Sequence, residues 1–394
     1  MKTKIGFRIC FAVVLVSFCF LSPSSGLAEK KVVKIAWFGP LTGADSFQGI
    51  GPKNCFDLAV KQANESGKFP YKIEGMILDD ASDTTQATSA AMKATSDPEV
   101  VAGTGFWVGQ CAFAATPIFH TAKKPLVLWG VPERKLIHGT GYKEIFRVCP
   151  TTQRENEALA KVVIDDLGYR TFCSISDTTE WGKETNATFK ALLDKAGGKL
   201  LSVDRFTWGT KNFRPILTKV TGKKPEGIYF GGIITEAIVL RKQMVEAGIH
   251  ILFVSNSGIT EQAFNDSVGA KAAEGVIATS PGVQPGPDWD KFVEAYKKEG
   301  YKEDWGVYGP FCYQATQIIL SALEKVGPDD SKALIDTLHK TNYTGVVGLT
   351  KFDPEGEAIE SKVDVVVSQD GQWVKWPESE YASGKRSLPP KHKK

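Results

Sequence analysis

The sequence predicts an α/β protein of two doubly wound lobes, each a mainly parallel sheet with helices on both faces. Three observations carry this. From Lys31 onward short β-branched runs alternate with helical patterns, the signature of sheets covered on both sides. The alternation restarts after Cys149-Pro150, and 394 residues suffice for about two compact units of roughly 150 residues. Composition is that of an ordinary globular chain, 42% hydrophobic and 24% charged, which excludes a disordered or polytopic membrane protein.

In the first series, Val32 to Phe38, Ile73 to Leu78, Val100 to Gly103 and Leu126 to Trp129 read as buried strands. The first helix between them carries Cys55, Leu58, Ala59, Gln62 and Ala63 at helical spacing and ends at Gly67. In the second series a helix with Ala160, Val163, Ile164 and Leu167 on one face stops at Gly168. Strand Thr171 to Ser176 follows, then a helix with Phe189, Leu192, Leu193 and Ala196 that stops at Gly197. Strands Leu200 to Phe206, Gly227 to Phe230 and Ile251 to Ser255 come next, separated by a short helix and one ending at Gly248. After Pro281 the chain is more helical, with Phe292 and Tyr296 on one helix and Cys312, Ala315, Ile319, Ala322 and Leu323 on a longer one. It returns to strand at Val363 to Val367 and Trp373 to Val374. Late elements must join lobes already begun, so the chain crosses between the lobes more than once, which makes a hinge.

Residues 1–28 show a cationic head, an apolar run from Ile9 to Leu21 and a small-residue site at Gly26-Leu27-Ala28. This reads as a secretory signal peptide cleaved after Ala28. About 13 apolar residues rise only about 20 Å as a helix, too short for a membrane span. Cleavage would leave five cysteines, Cys55, Cys111, Cys149, Cys173 and Cys312, so at least one lacks a partner within the chain. Cys173 is expected to be buried and inert.

The formal charge of +3 comes from Lys2, Lys4 and Arg8 in the leader; the remainder balances 45 basic against 45 acidic residues. Part of the remaining basic charge lies in a terminal stretch, residues 377–394, expected to be frayed. The body therefore has no basic face for phosphates, and nucleic acid is not an expected partner.

Enzyme signatures are weak. Gly103-Thr104-Gly105 with Gly109 imitates a dinucleotide fingerprint, but the spacing is one residue long and Phe106-Trp107 fills the place where a pyrophosphate would approach. No P-loop, HExxH, EF-hand or GxSxG pattern follows the leader. Five scattered histidines form no metal or nucleophile spacing, and the pairs Asp79-Asp80 and Asp165-Asp166 do not present two acids to one substrate. No catalytic residue, metal or cofactor is assigned.

The loops beyond the strand ends are more informative, because open α/β sheets bind ligands there. They carry Phe47 and Gln48; Phe106, Trp107 and Gln110; Trp129, Gly130 and Val131; Glu180 and Trp181; Ile233 and Glu236; Asn256 and Ser257. Aromatic rings mixed with a few polar groups suit a small, mainly apolar ligand. Helices starting near Gln110 and Glu180 would aim free N–H groups at a carboxylate.

The sequence resembles the type I periplasmic binding proteins of branched-chain amino acid ABC transporters. The likeness lies in Lys34-Ile35-Ala36-Trp37-Phe38-Gly39-Pro40-Leu41-Thr42-Gly43, the Asp79-Asp80 strand end, Ile145-Phe146-Arg147-Val148, Glu180-Trp181-Gly182, Tyr229-Phe230-Gly231-Gly232, Ala273-Glu274-Gly275-Val276 and Phe352-Asp353-Pro354-Glu355-Gly356. It implies two Rossmann-like lobes joined by a three-strand hinge, 29–150 with 282–345 and 151–281 with 346–376. It also implies a monomeric periplasmic receptor, not an enzyme, that hands a small ligand to separate ABC membrane subunits; a ligand-sensing module of a signalling system is the alternative. The family's hydroxyl-rich carboxylate loop matches Val108-Gly109-Gln110-Cys111, its Ser-Ala-Thr segment matches Gly130-Val131-Pro132, and its ammonium-gripping acid aligns with Ser257. These departures predict an aromatic or branched carboxylate, or a short amide, over a free amino acid, unless Glu180 or Glu236 replaces the lost acid.

Overall fold

The computed structural model describes residues 30–43 and 45–391; the expected signal peptide, with Cys10 and Cys19, lies outside them. In the first lobe the strands are β1 (Val32–Gly39), β2 (Lys72–Asp79), β3 (Val100–Gly105), β4 (Leu126–Leu128) and β5 (Ile145–Arg147). They form one sheet in the order β2-β1-β3-β4-β5, every pair parallel. The second sheet holds β6 (Thr171–Asp177), β7 (Lys199–Phe206), β8 (Gly227–Gly231), β9 (Leu252–Ser255) and β10 (Ile277–Pro281). Past a small hairpin, β11 (Asn342–Gly345) with β12 (Gly348–Lys351), it is completed by β13 (Val363–Gln369) and β14 (Gln372–Lys375). Its order is β14-β13-β10-β9-β8-β6-β7, with β13 antiparallel to both neighbours.

Helices α1 (Phe47–Glu65), α2 (Thr84–Ser96) and α3 (Gly109–Ala122) cover the first sheet, and α4 (Thr152–Ala160), α5 (Glu180–Lys195), α6 (Arg214–Lys223), α7 (Ile234–Glu246), α8 (Gln262–Val268) and α9 (Ala270–Ala273) belong to the second lobe. The later α10 (Pro287–Glu299), α11 (Gly309–Val326) and α12 (Ser331–His339) return to the first. Each sheet has two cores because both faces are covered. Trp37, Phe56, Ile319 and Leu323 share one side of the first sheet, Phe38, Ala91 and Phe119 the other. Ile228, Leu240 and Phe253 share one side of the second, Val163, Phe189 and Val254 the other.

Three strands of chain connect the lobes, after β5, after β10 and before β13. The last falls later than expected at 346. Val346, Val347, Phe352 and Ala358 are buried in the first lobe's core, so the hairpin stays with that lobe and the chain leaves it close to β13. The α4 helix widens into a π turn over Lys161–Asp166 before Gly168 ends it with φ +77°. The five cysteines among the described residues are buried free thiols, Cys173 among them.

Over its described residues, to Lys391, the terminal stretch is not frayed. Arg386 pairs with Glu274, Asp370 and Glu380, Leu388 packs against the second lobe's core, and Tyr169 donates its hydroxyl to the Pro389 carbonyl. Arg386 anchors the stretch to acids of the same lobe, and Lys391 donates to the Leu167 carbonyl at 2.7 Å.

Candidate functional site

The carboxyl ends of the two sheets face one another across a cleft with about 50 Å³ of free space, several times what a single water needs. From the first lobe Gln48, Trp107, Val108, Gly109, Gln110, Gly130, Pro132, Glu133 and Tyr308 line it; from the second come Thr179, Trp181, Trp208, Ile233, Ser257, Gly258 and Glu261. The strand-end loops therefore meet as expected, and the gap is not filled by their rings.

Seven of the expected residues, Gln48, Trp107, Gln110, Gly130, Trp181, Ile233 and Ser257, line this space. The other seven do not. Phe47 lies at the surface, 43% exposed. Phe106 is turned into the core, stacked on Phe38 at 4.9 Å, and Val131 packs in the same core. Trp129 is fully buried and stacks on Trp37 at 6.3 Å. Phe106, Trp129 and Val131 lie just past the ends of β3 and β4, each next in sequence to a residue that does line the cleft. Asn256 is buried behind the wall, its amide donating to Thr185 Oγ1 at 2.7 Å.

Neither expected substitute acid faces the cleft. Glu180 is half-exposed and paired with Lys135 at 3.2 Å and Lys183 at 2.8 Å. Glu236 is buried, accepting from the Gly209 N–H at 2.7 Å and the Thr235 hydroxyl at 2.6 Å. The acids that do line the cleft are Glu133 and Glu261, and burial raises the pKa of both, Glu133 to about 7. Glu261 accepts the Val307 N–H at 3.1 Å.

The two helix starts also differ. Thr179 caps α5, its hydroxyl accepting from the Gly182 N–H at 3.1 Å. Val108, before α3, has no side chain that caps, so the first N–H groups of α3 remain available beside Gly109 and Gln110. Trp181 lies against Gly258, where a Cβ would fall 2.9 Å from its ring. Trp208 donates its indole N–H to Asp177 at 3.1 Å. Polar contacts tie the lobes around the cavity, among them Ser257 Oγ to the Tyr308 hydroxyl at 3.0 Å, Glu261 to Val307, and the Arg134 N–H to Glu184 at 3.1 Å.

Arg147 holds the cleft loop from behind. It is fully buried, bidentate on Glu357, and donates to the carbonyls of Val131 at 3.0 Å and Glu133 at 2.7 Å. Gly356, with φ +103°, is needed where the crossover passes β5, since a Cβ there would fall 2.2 Å from the Ile145 carbonyl oxygen.

Among the described residues no group of His, Cys, Asp and Glu could hold a metal ion, and no helix is long and apolar enough to cross a membrane. Two lobes, three connections and a lined interlobe cleft define a two-lobed solute receptor. The chain belongs to the periplasmic binding protein family, whose model matches residues 32–372. It is 26% identical over 330 residues, 82% of this chain and 87% of the relative, to a leucine-, isoleucine-, valine-, threonine- and alanine-binding protein of Pseudomonas aeruginosa. A leucine binding protein of Thermotoga maritima superposes with a TM-score of 0.77 at 25% identity, covering 87% of this chain and 97% of that one. A solute binding protein of Rhodopseudomonas palustris, solved with benzoate, gives 0.78 at 17% identity over 87% and 95% of the two chains and shares the fold. These relatives are binding proteins, and the chain is a binding protein rather than an enzyme.

Proposed function

We propose that the chain is a monomeric periplasmic receptor that closes on a small branched or aromatic solute bearing a carboxylate, amide or amino-acid head and delivers it to an ABC permease. The observation that carries the reading is the uncapped start of α3 opening into a cavity walled by Trp107, Trp181 and Trp208. Free N–H groups receive the polar head, and the rings receive the apolar body. Contacts from both lobes to one solute favour the closed form over the open one. The ligands named for the Pseudomonas and Thermotoga relatives support the size and polarity of this solute. A thermal-shift panel of leucine, isoleucine, valine, phenylalanine, leucinamide, 4-methylpentanoate and benzoate tests it, since a ligand bound only by the folded protein raises the melting temperature. At least one member is expected to raise it; no response from the whole panel would sink the proposal.

A further inference from the structure

We propose that Glu133 selects the ligand of this cleft, accepting a hydrogen bond from an ammonium or amide N–H and turning away bare carboxylates unless it is itself protonated. The inference rests on the receptor reading above and names a residue that the family likeness does not supply. Glu133 is 3% exposed, lines the cavity, and its Oε2 has no hydrogen-bond partner among the described residues. Its carboxyl lies over the first residue of α3: a Cβ on Gly109 would fall 1.7 Å from Oε1 and 2.6 Å from the carboxyl carbon. The carboxyl and any entering solute thus share the space before the uncapped amides.

The surroundings only partly offset its burial. Its own backbone N–H and the Arg147 guanidinium favour the charged form, but Arg147 binds the Glu133 carbonyl rather than the carboxyl and is committed to Glu357. The other charged groups facing Glu133 are acids: Glu184 on α5, Asp177 at the end of β6 and Glu155 on α4. Tyr308 and Cys149, also near, stay neutral because burial raises their pKa values. Burial, reinforced by Glu184, holds the Glu133 carboxyl at about 7. A buried acceptor without a partner is costly, so a ligand N–H satisfies what the protein leaves open, and a ligand carboxylate aggravates it.

The sign follows. Leucine needs the deprotonated carboxylate, of which roughly 3% remains at pH 5.5 for a pKa of about 7, so its apparent affinity falls about thirtyfold from pH 8 to pH 5.5. 4-Methylpentanoate, the same body without the amine, needs the protonated acid and binds about tenfold more weakly at pH 8 than at pH 5.5. Calorimetric titration of both probes at pH 5.5, 7 and 8, on wild type and Glu133→Gln, tests this. Opposite slopes are expected in wild type, with both flattened in the variant. Glu155 remains in Glu133→Gln, so the flattening assigns the slope to Glu133. Gly109→Ala, which pushes the carboxyl from over α3, should weaken the slope by an independent route. A leucine affinity flat from pH 5.5 to 8, a slope that survives in Glu133→Gln, or 4-methylpentanoate binding more tightly than leucine at pH 8 overturns the proposal while leaving a receptor. If no solute of the wider panel binds wild type, the receptor reading itself fails and takes this inference with it.

Discussion

Replacing Arg147 with Met should damage stability more than any surface substitution, and the structure sets the size of the loss. The guanidinium is completely buried and joins three pieces of chain: the end of β5, Glu357 on the last crossover, and the Val131 and Glu133 carbonyls of the cleft loop. Its removal leaves the Glu357 carboxylate buried opposite a thioether, with His138 Nε2 at 3.5 Å as a remaining polar neighbour, which costs about 3–5 kcal/mol. With a urea slope of about 3 kcal/mol per molar, the unfolding midpoint should fall by about 1–1.7 M. Adding Glu357→Leu removes the stranded charge, and since apolar pairs often replace buried ion pairs at little net cost, the double variant should recover most of the loss. A single variant within about 0.3 M of the wild-type midpoint, or a double variant no better than Arg147→Met, would refute the reasoning.

Trp181→Ala removes a half-buried ring of the second lobe's wall and should weaken binding of the cognate panel member at least tenfold by calorimetry; unchanged affinity would take the residue out of the site. Tyr308→Phe deletes the 3.0 Å bond to Ser257 between the lobes. At about 1 kcal/mol per bond this should shift the ligand-free equilibrium toward open about fivefold, read as a larger radius of gyration in X-ray scattering. Glu155→Gln addresses a fully buried acid facing Ser257, whose pKa burial pushes from 4.5 up to about 7. The folded form there holds the proton more tightly than the unfolded chain, so stability is lost as pH rises from about 4.5 to about 7. The variant should gain roughly 2–3 kcal/mol at pH 8 and little at pH 4; equal urea midpoints at pH 8 would count against it.

Both sheets were legible in the sequence because their buried strands are short apolar runs bounded by helices of clear period. Three elements escape that reading: β5, only three residues long, β10, and the β11–β12 hairpin. Ile277 to Pro281 mixes Ala, Thr and Ser with one β-branched aliphatic residue, and the hairpin carries Asn, Gly and Lys at its edges. The site was legible only to the level of loops. Whether Phe106 or Trp107, Trp129 or Gly130, faces the cleft depends on where the pleat ends, and one residue of register reverses the side. Trp208 had an available signal, since it follows the end of β7 as Trp181 follows β6. Tyr308 had none: it reaches the cleft from the start of α11, distant in sequence from every loop it joins. Glu133 had no signal of its own: it lies one residue past the Gly130-Val131-Pro132 loop, and a lone acid there reads as surface until its burial is seen.

Neither lobe is a contiguous stretch. The first needs α11 to close one side of its sheet, and the second needs β13, β14 and the anchored residues around Arg386 and Leu388. A polypeptide emerging from its amino end therefore exposes two half-built cores until almost all of it is available. Cutting the gene at the first connection would yield two fragments with bare apolar faces, not two working halves, whereas mixing such fragments offers each the helices or strands that the other lacks.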